Sequence, residues 1–519
     1  MTEIKMGRFR SMFFPIYANE LKKLLPLTLI FLFVSFNYAL LRGLKDVYVY
    51  NKMSKESIYV LKVLVIPSII LFTILYTFIA KRVSRDVRFN IVVTYFFLFF
   101  TIFYLFSDNE SIQLTKISEL GNSYFDYPAL WKCVRFWLFS LFYIHAEAWG
   151  TIVLGVAFWT FANEIVSSFQ AKRIYPFLTV GAALGSVFSG IFMFFSSSID
   201  LKGLPIIGNI TVQSLQIWVV LILILLILSI YNSLSYNINK NPEGYDIENK
   251  IKKNKVKLSF AQSMAVLLKS KYLLFLACIV FGYNMFIVFL ESIWKGRVGS
   301  FEKGLVDYYC NGDITLTSAG KDYARNIITK LYGIQSILVG ALSLFWIFFV
   351  SRKKKKKKWS NVAVFTPIVG FICSLLFLLL FVFQNSLGFV FQNSLGFLVK
   401  NYNLSFLFSL VVFGLGILCF IKSSKYVFFD TSKERAYIPL DEESKVNGKA
   451  AIDAMGSRLA KGSGAVLISI LVYIFDGLDN IIYITFFLVF LLLAVWLFAV
   501  YKLEPLYEQK LKESNIETK

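Results

Sequence analysis

Twelve apolar runs, each close to or above the length needed to cross a lipid bilayer, recur along the chain between charged connectors. A spanning helix needs about 20 mostly apolar residues, and it satisfies its own backbone hydrogen bonds where no water is present. The runs explain why 57% of the 519 residues are hydrophobic and 18% are aromatic. A single run could be an anchor, but this many form the body of the protein. The sequence therefore predicts an all-α membrane protein of about twelve transmembrane helices.

The runs form two groups of six. The predicted spans lie near residues 24–48, 59–80, 90–106, 130–163, 175–196, 212–232, 271–292, 327–350, 361–383, 402–424, 452–475 and 480–502. Residues 237–270 separate the groups, and residues 237–259 among them are polar and basic, with a turn-forming Asn-Pro-Glu-Gly. We therefore divide the chain into an N-terminal half, residues 1–236, a cytoplasmic linker, residues 237–270, and a C-terminal half, residues 271–519. Two six-helix halves facing a midplane cavity are the plan of major-facilitator-like transporters, and a plan alone does not name a cargo.

The charge of the connectors predicts the topology. The N-terminal segment and the connectors at 80–88, 170–173, 237–259 and 351–359 are basic, whereas those at 107–127 and 475–480 lean acidic. Lysine and arginine concentrate in cytoplasmic loops, so both termini are predicted to be cytoplasmic. This placement accounts for the net charge of +22 without a nucleic-acid partner. The basic N-terminal segment leads into a full-length span, so we expect no cleaved signal peptide.

The residues needed for redox, metal or hydrolytic chemistry are sparse. Among five cysteines only Cys310 lies in a polar connector, and no CxxC pairing occurs. The single histidine, His145, lies in the fourth predicted span and is expected to be a packed polar side chain. Gly448-Lys449 lacks the rest of a G-x-x-x-x-G-K-[ST] phosphate loop. We therefore predict no enzyme activity, no cofactor and no metal site, and we expect no obligate protein partner.

Charged residues inside predicted spans mark candidate sites, because a charge at the bilayer centre costs at least about 2.5 to 3.5 kcal/mol. Tyr38, Arg42 and Lys45 are spaced to lie on one face of the first span. In the alternative interpretation, Arg42, Lys45 and Asp46 mark the end of that helix and extend to the interface. Glu147 lies too deep in the fourth span for a short acid to extend to the membrane interface. It is therefore expected to pair with a base or to take up a proton.

Further candidates lie in the fourth, seventh, tenth and eleventh spans. Tyr143 and Asn163 accompany Glu147, and in the seventh span Asn284 shares a face with Glu291 and Lys295, with Glu291 near the predicted outer end.

Lys425 precedes the charged connector 437–453, and the connector leads into a helix whose first turns carry Lys449, Asp453, Arg458 and Lys461. Lysine and arginine set in a screened site suit an anion bearing several phosphates.

At these residues the chain resembles the nucleotide transport proteins, the ATP/ADP translocases of obligate intracellular bacteria and plastids. The resemblance runs through residues 13–46, 142–177 and 424–465, which include "LRGLKD", "HAEAWG" and "SRLAKGSG". It implies a major-facilitator-like carrier in the inner (cytoplasmic) membrane of a bacterium. Such a carrier imports host ATP in exchange for ADP, with phosphate as a further candidate cargo.

The resemblance also implies which charges matter. In that family a lysine in the first span, acids in the fourth and seventh and a lysine early in the eleventh are functionally important; here these are Lys45, Glu147, Glu291 and Lys461. We expect the two acids to pair with the bases when the cavity is empty, and Lys45, Lys461 and either Lys425 or Arg458 to neutralise phosphates. The connector 437–453 is then a cytoplasmic loop holding gate contacts, or alternatively a solvated loop that serves only the fold.

The chain departs from the family at two positions near the eleventh span. Arg435 and Asn447 replace residues that are more often methionine and lysine in the family. These departures leave a proton-coupled importer of other nucleoside triphosphates as an alternative. A membrane-bound nucleotide-processing enzyme is the alternative from another class, but the catalytic residues that it would need are missing from the motifs above.

Overall fold

A computed structural model of the protein describes residues 17–107, 109, 113–114, 127–166, 168–199, 211–241, 270–351, 358–383, 402–440, 452 and 456–513. Within these residues every regular element is a helix. Twelve of the helices are long and apolar enough to cross a membrane. The prediction of an all-α membrane protein with about twelve spans is therefore confirmed.

We number the spanning helices α1 to α12 in chain order. Their bounds are α1 Ala18–Lys52, α2 Ser57–Arg82, α3 Arg85–Phe106, α4 Trp137–Ile165, α5 Ser168–Ser196, α6 Val212–Lys240, α7 Lys271–Cys310, α8 Thr317–Ser351, α9 Trp359–Val382, α10 Tyr402–Ser424, α11 Ser457–Ile474 and α12 Ile482–Glu513. A separate short helix, Pro128–Arg135, precedes α4, so the predicted fourth span began too early. Helix α6 runs to Lys240, four residues into the predicted linker, most of which lies outside the described residues.

Helix α7 is the clearest departure from the predicted spans. It has 40 residues and ends only where Asn311 adopts a left-handed conformation, with φ of 45°, followed by Gly312 with φ of 89°. Hydropathy placed the end near residue 292 because charged residues begin there, but charge does not stop a helix whereas a left-handed residue does. As a result Glu291 lies in the middle of α7, and its predicted place near the outer end was wrong.

The packing of the first six helices repeats in the last six. Helix α1 packs on α4, α5 and α6, and α7 packs in the same order on α10, α11 and α12. The pairs α2–α4 and α3–α6 recur as α8–α10 and α9–α12, and the two groups meet where α5 packs on α8 and α2 on α11. This six-helix repeat around a central junction is a major-facilitator-like arrangement.

Four helices, one in every three, form the centre of the bundle. The apolar windows of α1, α4, α7 and α10 are 56%, 61%, 67% and 61% buried, whereas those of the other eight spans are at most 44% buried. The other eight therefore present more of their apolar surface outward, as helices that face lipid do. The four central helices carry the charged residues of the candidate site.

Small residues allow the two groups to approach closely. A Cβ atom on Gly190 of α5 would lie 2.4 Å from the carbonyl oxygen of Gly333 on α8, so only glycine fits at that contact. On the other side of the junction, a Cβ on Gly462 of α11 would lie 2.5 Å from Cδ1 of Ile66 on α2. Close backbone contact of this kind holds helices together in a membrane, where the hydrophobic effect contributes little between them.

One π-helical segment lies within α4 and another directly follows α10. In α4 the segment is Trp149–Ala157, just after Glu147, and α10 continues through Lys425–Phe429 into the short helix Asp430–Tyr437. A π segment inserts an extra residue into a turn, rotates the side chains that follow it and is frequent at functional sites. Both segments begin within one turn of a charged residue of the candidate site.

Candidate functional site: a buried charge network

Seven charged side chains from the four central helices form two neighbouring sets of ion pairs, one around Glu291 and one around Lys45 and Asp46, and Lys295 of the second set lies within electrostatic range of Glu291. We call the two sets together the charge network; its members are Arg42, Lys45 and Asp46 of α1, Glu147 of α4, Glu291 and Lys295 of α7, and Lys422 of α10. It draws on both six-helix groups. A charge network inside a membrane is expensive to bury, so it marks a functional site.

Lys45 lies at the centre of the part contributed by the first group. Its Nζ atom is 3.0 Å from Oδ1 of Asp46 and 3.1 Å from Oε1 of Glu147, and it lies 3.9 Å from the centre of the Tyr143 ring. The side chain is only 2% exposed, and α1 continues to Lys52. The interpretation in which Lys45 marks a helix end and extends to the interface is therefore wrong.

Asp46 joins the two groups. Its fully buried carboxylate accepts from Nζ of Lys295 on α7 at 2.7 Å and from the hydroxyl of Tyr332 on α8 at 3.0 Å. Sequence reasoning treated Asp46 only as part of a helix end, and it placed Lys295 on a face without assigning it a partner. Their partnership spans 249 residues of chain, and nothing in either local pattern indicates it.

Glu291 accepts from two bases on different helices, the guanidinium of Arg42 on α1 and the ammonium of Lys422 on α10. The acid of α7 was expected to pair with the bases that neutralise phosphates, namely Lys45, Lys461 and either Lys425 or Arg458. Its partners in the structure are instead Arg42 and Lys422. Lys425 lies instead in the π segment, 3.4 Å from the carboxylate of Asp430.

Lys461 approaches the charge network from α11. Its side chain is exposed, and within the described residues no ion pair of Lys461 is found. It still lies within electrostatic range of Arg42, Glu147, Glu291 and Lys425. The four residues singled out by the resemblance, Lys45, Glu147, Glu291 and Lys461, therefore share one region of the molecule.

Besides Tyr143, Lys425 and Lys461, three further candidates lie outside the charge network. Arg458 donates to the hydroxyl of Thr73 on α2 at 3.1 Å, and Asn284 donates to the carbonyl of Val280 on its own helix at 2.7 Å. Asn163 accepts from the hydroxyl of Tyr175 near the other end of α4 from the charge network. Lys449, Asp453 and most of the connector 437–453 lie outside the described residues.

Sequence reasoning did not find Lys62. This lysine lies on α2, its Nζ atom is buried, and it has no hydrogen-bond partner among the described residues. It lies within electrostatic range of Lys45, Asp46, Glu291 and Lys295. In the sequence, Lys62 is a lone lysine early in the second span. A lysine at the membrane interface gives the same pattern, so the sequence does not distinguish the two cases.

With Lys62 and Lys461, the region contains more bases than acids. Six basic side chains, Arg42, Lys45, Lys62, Lys295, Lys422 and Lys461, face three acidic ones, Asp46, Glu147 and Glu291. The acid Glu147 and the base Arg42 are 35% and 30% exposed, so solvent reaches one side of the network. An excess of donors and positive charge beside a wet cavity suits an anionic ligand.

A second set of contacts closes the end of the bundle that we predict to be external. We call it the outer gate: Lys55 and Arg297 both bind Asp479, at 3.1 Å and 2.7 Å, and Lys55 also donates to Ser300 at 3.0 Å. The hydroxyl of Tyr59 donates to the carbonyl of Ser292 at 2.9 Å. These bonds link α2 and the α1–α2 connector to α7 and the α11–α12 connector, so the two groups are held together at that end.

His145 is a packed polar side chain, as expected. Its Nδ1 lies 2.8 Å from the carbonyl of Leu141 and its Nε2 lies 2.8 Å from the Tyr95 hydroxyl, while Phe99 stacks on the ring at 3.5 Å. A nitrogen beside a carbonyl must carry the proton, so Nε2 accepts from the tyrosine and the ring is satisfied as a neutral group.

Comparison with known proteins gives a consistent result. A family model described as TLC ATP/ADP transporter matches residues 1–507. ADP,ATP carrier protein 3 of Rickettsia bellii (strain RML369-C) is 30% identical over 525 residues, which cover 97% of this chain and 98% of that protein. ADP,ATP carrier protein 1 of Chlamydia pneumoniae is 30% identical over 534 residues, covering 99% and 97%.

Among solved structures, a bacterial homologue of the human lysosomal transporter Spinster, in an inward-facing and unoccupied conformation, aligns over 96% of each chain, with 13% identity and a TM-score of 0.41. The sequence matches are the informative ones. Because the family model covers residues 1–507 and both carriers match along at least 97% of the chain, the chain belongs to the TLC ATP/ADP transporter family.

Proposed function

We propose that this multi-pass membrane protein imports ATP in exchange for ADP by alternating access. Membership of a transporter family and the names of its relatives, ADP,ATP carriers, support nucleotide transport. The observation that carries the proposal is the excess of six bases over three acids where the two six-helix groups meet. That position is where an alternating-access carrier holds its cargo.

The three acids act as internal counter-ions. A buried base without a partner costs several kcal/mol, so Glu147 and Glu291 stabilise Lys45, Arg42 and Lys422 while no ligand is bound. A phosphate oxygen offers the same bases equivalent charge-assisted hydrogen bonds. The free-energy change on replacing a carboxylate by a phosphate is then small, so the site can bind its anion and release it again.

Ligand binding is coupled to the outer gate through Asp46. Lys45 and Lys295 share this one carboxylate, and the Asp46–Lys295 bond holds α1 against α7. A phosphate that draws Lys45 or Lys295 away weakens this link between the groups. The gate residues Lys55 and Asp479 lie on the same two groups and separate with them.

We assign the six-helix halves, residues 1–236 and 271–519, as the two bodies that rock. Their polar contacts among the described residues are concentrated at the predicted outer end, whereas Arg458 to Thr73 links them on the cytoplasmic side. This arrangement is that of an inward-open carrier. We place both termini in the cytoplasm and the protein in the inner membrane of a bacterium, in line with the basic connectors.

The proton-coupled importer is the second candidate, because Glu147 is 35% exposed and so can exchange protons with solvent. In that mechanism Glu147 or Glu291 takes up a proton when the cargo binds, and phosphate or ADP on the opposite side is not needed. Both acids already accept from bases, which favours exchange over proton uptake.

Transport into proteoliposomes tests both mechanisms. Vesicles loaded with ADP are expected to take up labelled ATP, and empty vesicles are not. Uptake into empty vesicles that depends on a pH gradient, and that a protonophore abolishes, would support proton coupling and contradict exchange. Release of phosphate from ATP by the purified protein would revive the enzyme alternative, and loading with phosphate alone tests whether phosphate is a cargo.

A further inference from the structure

Lys62 has a position that the ion-pair network does not explain. It lies on α2, one turn inward from Tyr59 of the outer gate, and its Nζ atom is buried 5.7 Å from the centre of the Tyr59 ring. Within the described residues this ammonium has no hydrogen-bond partner. A buried cation is costly unless it is paired, so a residue of this kind needs an anion for at least part of the transport cycle.

The nearby acids are already used by other bases. Asp46 accepts from Lys45, Lys295 and Tyr332, and each of those bonds is 3.0 Å or shorter. Glu291 accepts from Arg42 and Lys422. Lys62 is within electrostatic range of both acids but bonds to neither, so it can take a new anion without breaking an ion pair.

The packing of α2 on α11 places Lys62 and Lys461 on two helices that contact each other. Ile66 lies one turn inward from Lys62 and contacts Gly462, the neighbour of Lys461 in sequence. One helical turn is about 5.4 Å, so the two lysines lie at different depths on either side of the junction between the groups. Neither lysine has an ion-pair partner among the described residues.

We propose that Lys62 is a phosphate-binding residue that contacts the innermost phosphate of a nucleoside polyphosphate, beneath the outer gate, while Lys461 contacts a phosphate nearer the cytoplasmic opening. This inference rests on the proposed function and deepens it. The spacing of the two lysines then makes the site selective for the length of the phosphate chain. A chain of two or three phosphates reaches both lysines, and a single phosphate reaches only one. Because the lysines belong to different halves, a polyphosphate also bridges the halves.

The test measures ligand binding by the purified full-length protein in detergent, with ATP, AMP and inorganic tripolyphosphate as probes. Lys62→Gln removes the charge and keeps a polar side chain, and Lys62→Arg keeps the charge. Lys132→Gln is the matched control, because Lys132 is an exposed lysine on the short helix before α4. A charge-assisted hydrogen bond contributes about 1.5 to 3 kcal/mol, so the Kd of Lys62→Gln for ATP is expected to rise about tenfold or more.

The Kd for tripolyphosphate is expected to rise by a similar factor and the Kd for AMP by much less, while Lys62→Arg and Lys132→Gln bind like wild type. The unliganded Tm of Lys62→Gln is expected to equal or exceed that of wild type, because an unpaired buried charge has been removed, and its stabilisation by ATP is expected to shrink.

Wild-type affinity of Lys62→Gln for ATP and tripolyphosphate would overturn the inference, and so would an equal loss for ATP and AMP. A large fall in the unliganded Tm would show that Lys62 is structural. If wild type itself binds no nucleotide, the proposed function fails instead, and the two failures are therefore distinguishable.

Discussion

The substitution Asp46→Asn tests the link between the charge network and the outer gate. Asp46 is fully buried and is the carboxylate that ties Lys45 and Lys295 together, at 3.0 Å and 2.7 Å. Asparagine has nearly the same shape and can still accept from Tyr332. The substitution therefore removes one negative charge and little else.

The size of the effect follows from which bonds depend on conformation. The Asp46–Lys45 bond lies within α1 and persists when the halves move, whereas the Asp46–Lys295 bond joins α1 to α7 and is lost when the outer gate opens. Removing one partner of a buried ion pair costs about 3 to 5 kcal/mol. If even half of this cost falls on the outer-closed state alone, the open population rises roughly tenfold, because about 1.4 kcal/mol is a factor of ten.

The assay is labelling of an introduced cysteine from outside intact cells. Ser292 is fully buried beneath the outer gate, so a thiol at Ser292→Cys is protected in the closed state and accessible in the open state. Addition of Asp46→Asn is expected to raise its labelling rate by an impermeant maleimide about tenfold. The same protein without Ser292→Cys measures the background from the native cysteines.

The control is Asp313→Asn, which removes an exposed carboxylate from the connector between α7 and α8 and is expected to leave labelling unchanged. Thermal unfolding of Asp46→Asn separates gate opening from general loss of structure. An unchanged labelling rate in a folded Asp46→Asn protein would refute the proposed coupling through Asp46.

Three further predictions address the other parts of the structure. Lys461→Ala is expected to lower ATP uptake more than tenfold, while its abundance in the membrane, measured by immunoblotting, stays within about twofold of wild type. Unchanged uptake would remove Lys461 from the site. Asp479→Asn removes the half-exposed carboxylate that binds Lys55 and Arg297 in the outer gate. Exposed ion pairs contribute about 1 kcal/mol or less, so the exchange rate in proteoliposomes is expected to change less than fivefold. Complete loss of exchange would contradict this expectation. Gly333→Leu places a side chain against the backbone of Gly190, so the variant is expected to lose the monodisperse peak on size-exclusion chromatography. The control Gly416→Ala adds a methyl group where there is open space, and it is expected to keep that peak.

The helices were predictable from the sequence because each one is a local pattern. Apolar runs long enough to span a bilayer gave the number of spans, and the resemblance to the nucleotide transport proteins is confirmed by the family match. Helix ends were less predictable. At α7 the hydropathy falls near residue 292, but the helix continues to the left-handed turn at Asn311, and this moved Glu291 from a helix end to mid-helix.

The individual charges of the site were predictable, whereas their partners were not. A charged residue inside an apolar run is a local signal, and it identified Lys45, Glu147 and Glu291 correctly as members of a buried cluster. The partnership of Asp46 with Lys295 depends on how two distant helices pack, and local spacing carries no information about it. Local spacing also does not distinguish Lys425 from Lys422, three residues earlier. In the structure Lys422 pairs with Glu291, whereas Lys425 pairs with Asp430.

The excess of bases also gives a physical reason for the proposed exchange of one nucleotide for another. To reorient without cargo, the protein must close around six basic groups with only three acids to balance them, and uncompensated charge in a membrane is costly. A bound nucleotide supplies the missing negative charge, so the loaded protein crosses a lower barrier than the empty one. Reorientation is then faster with ATP or ADP bound in either direction. In the proposed mechanism, the same imbalance that attracts a polyphosphate therefore couples its entry to the exit of another.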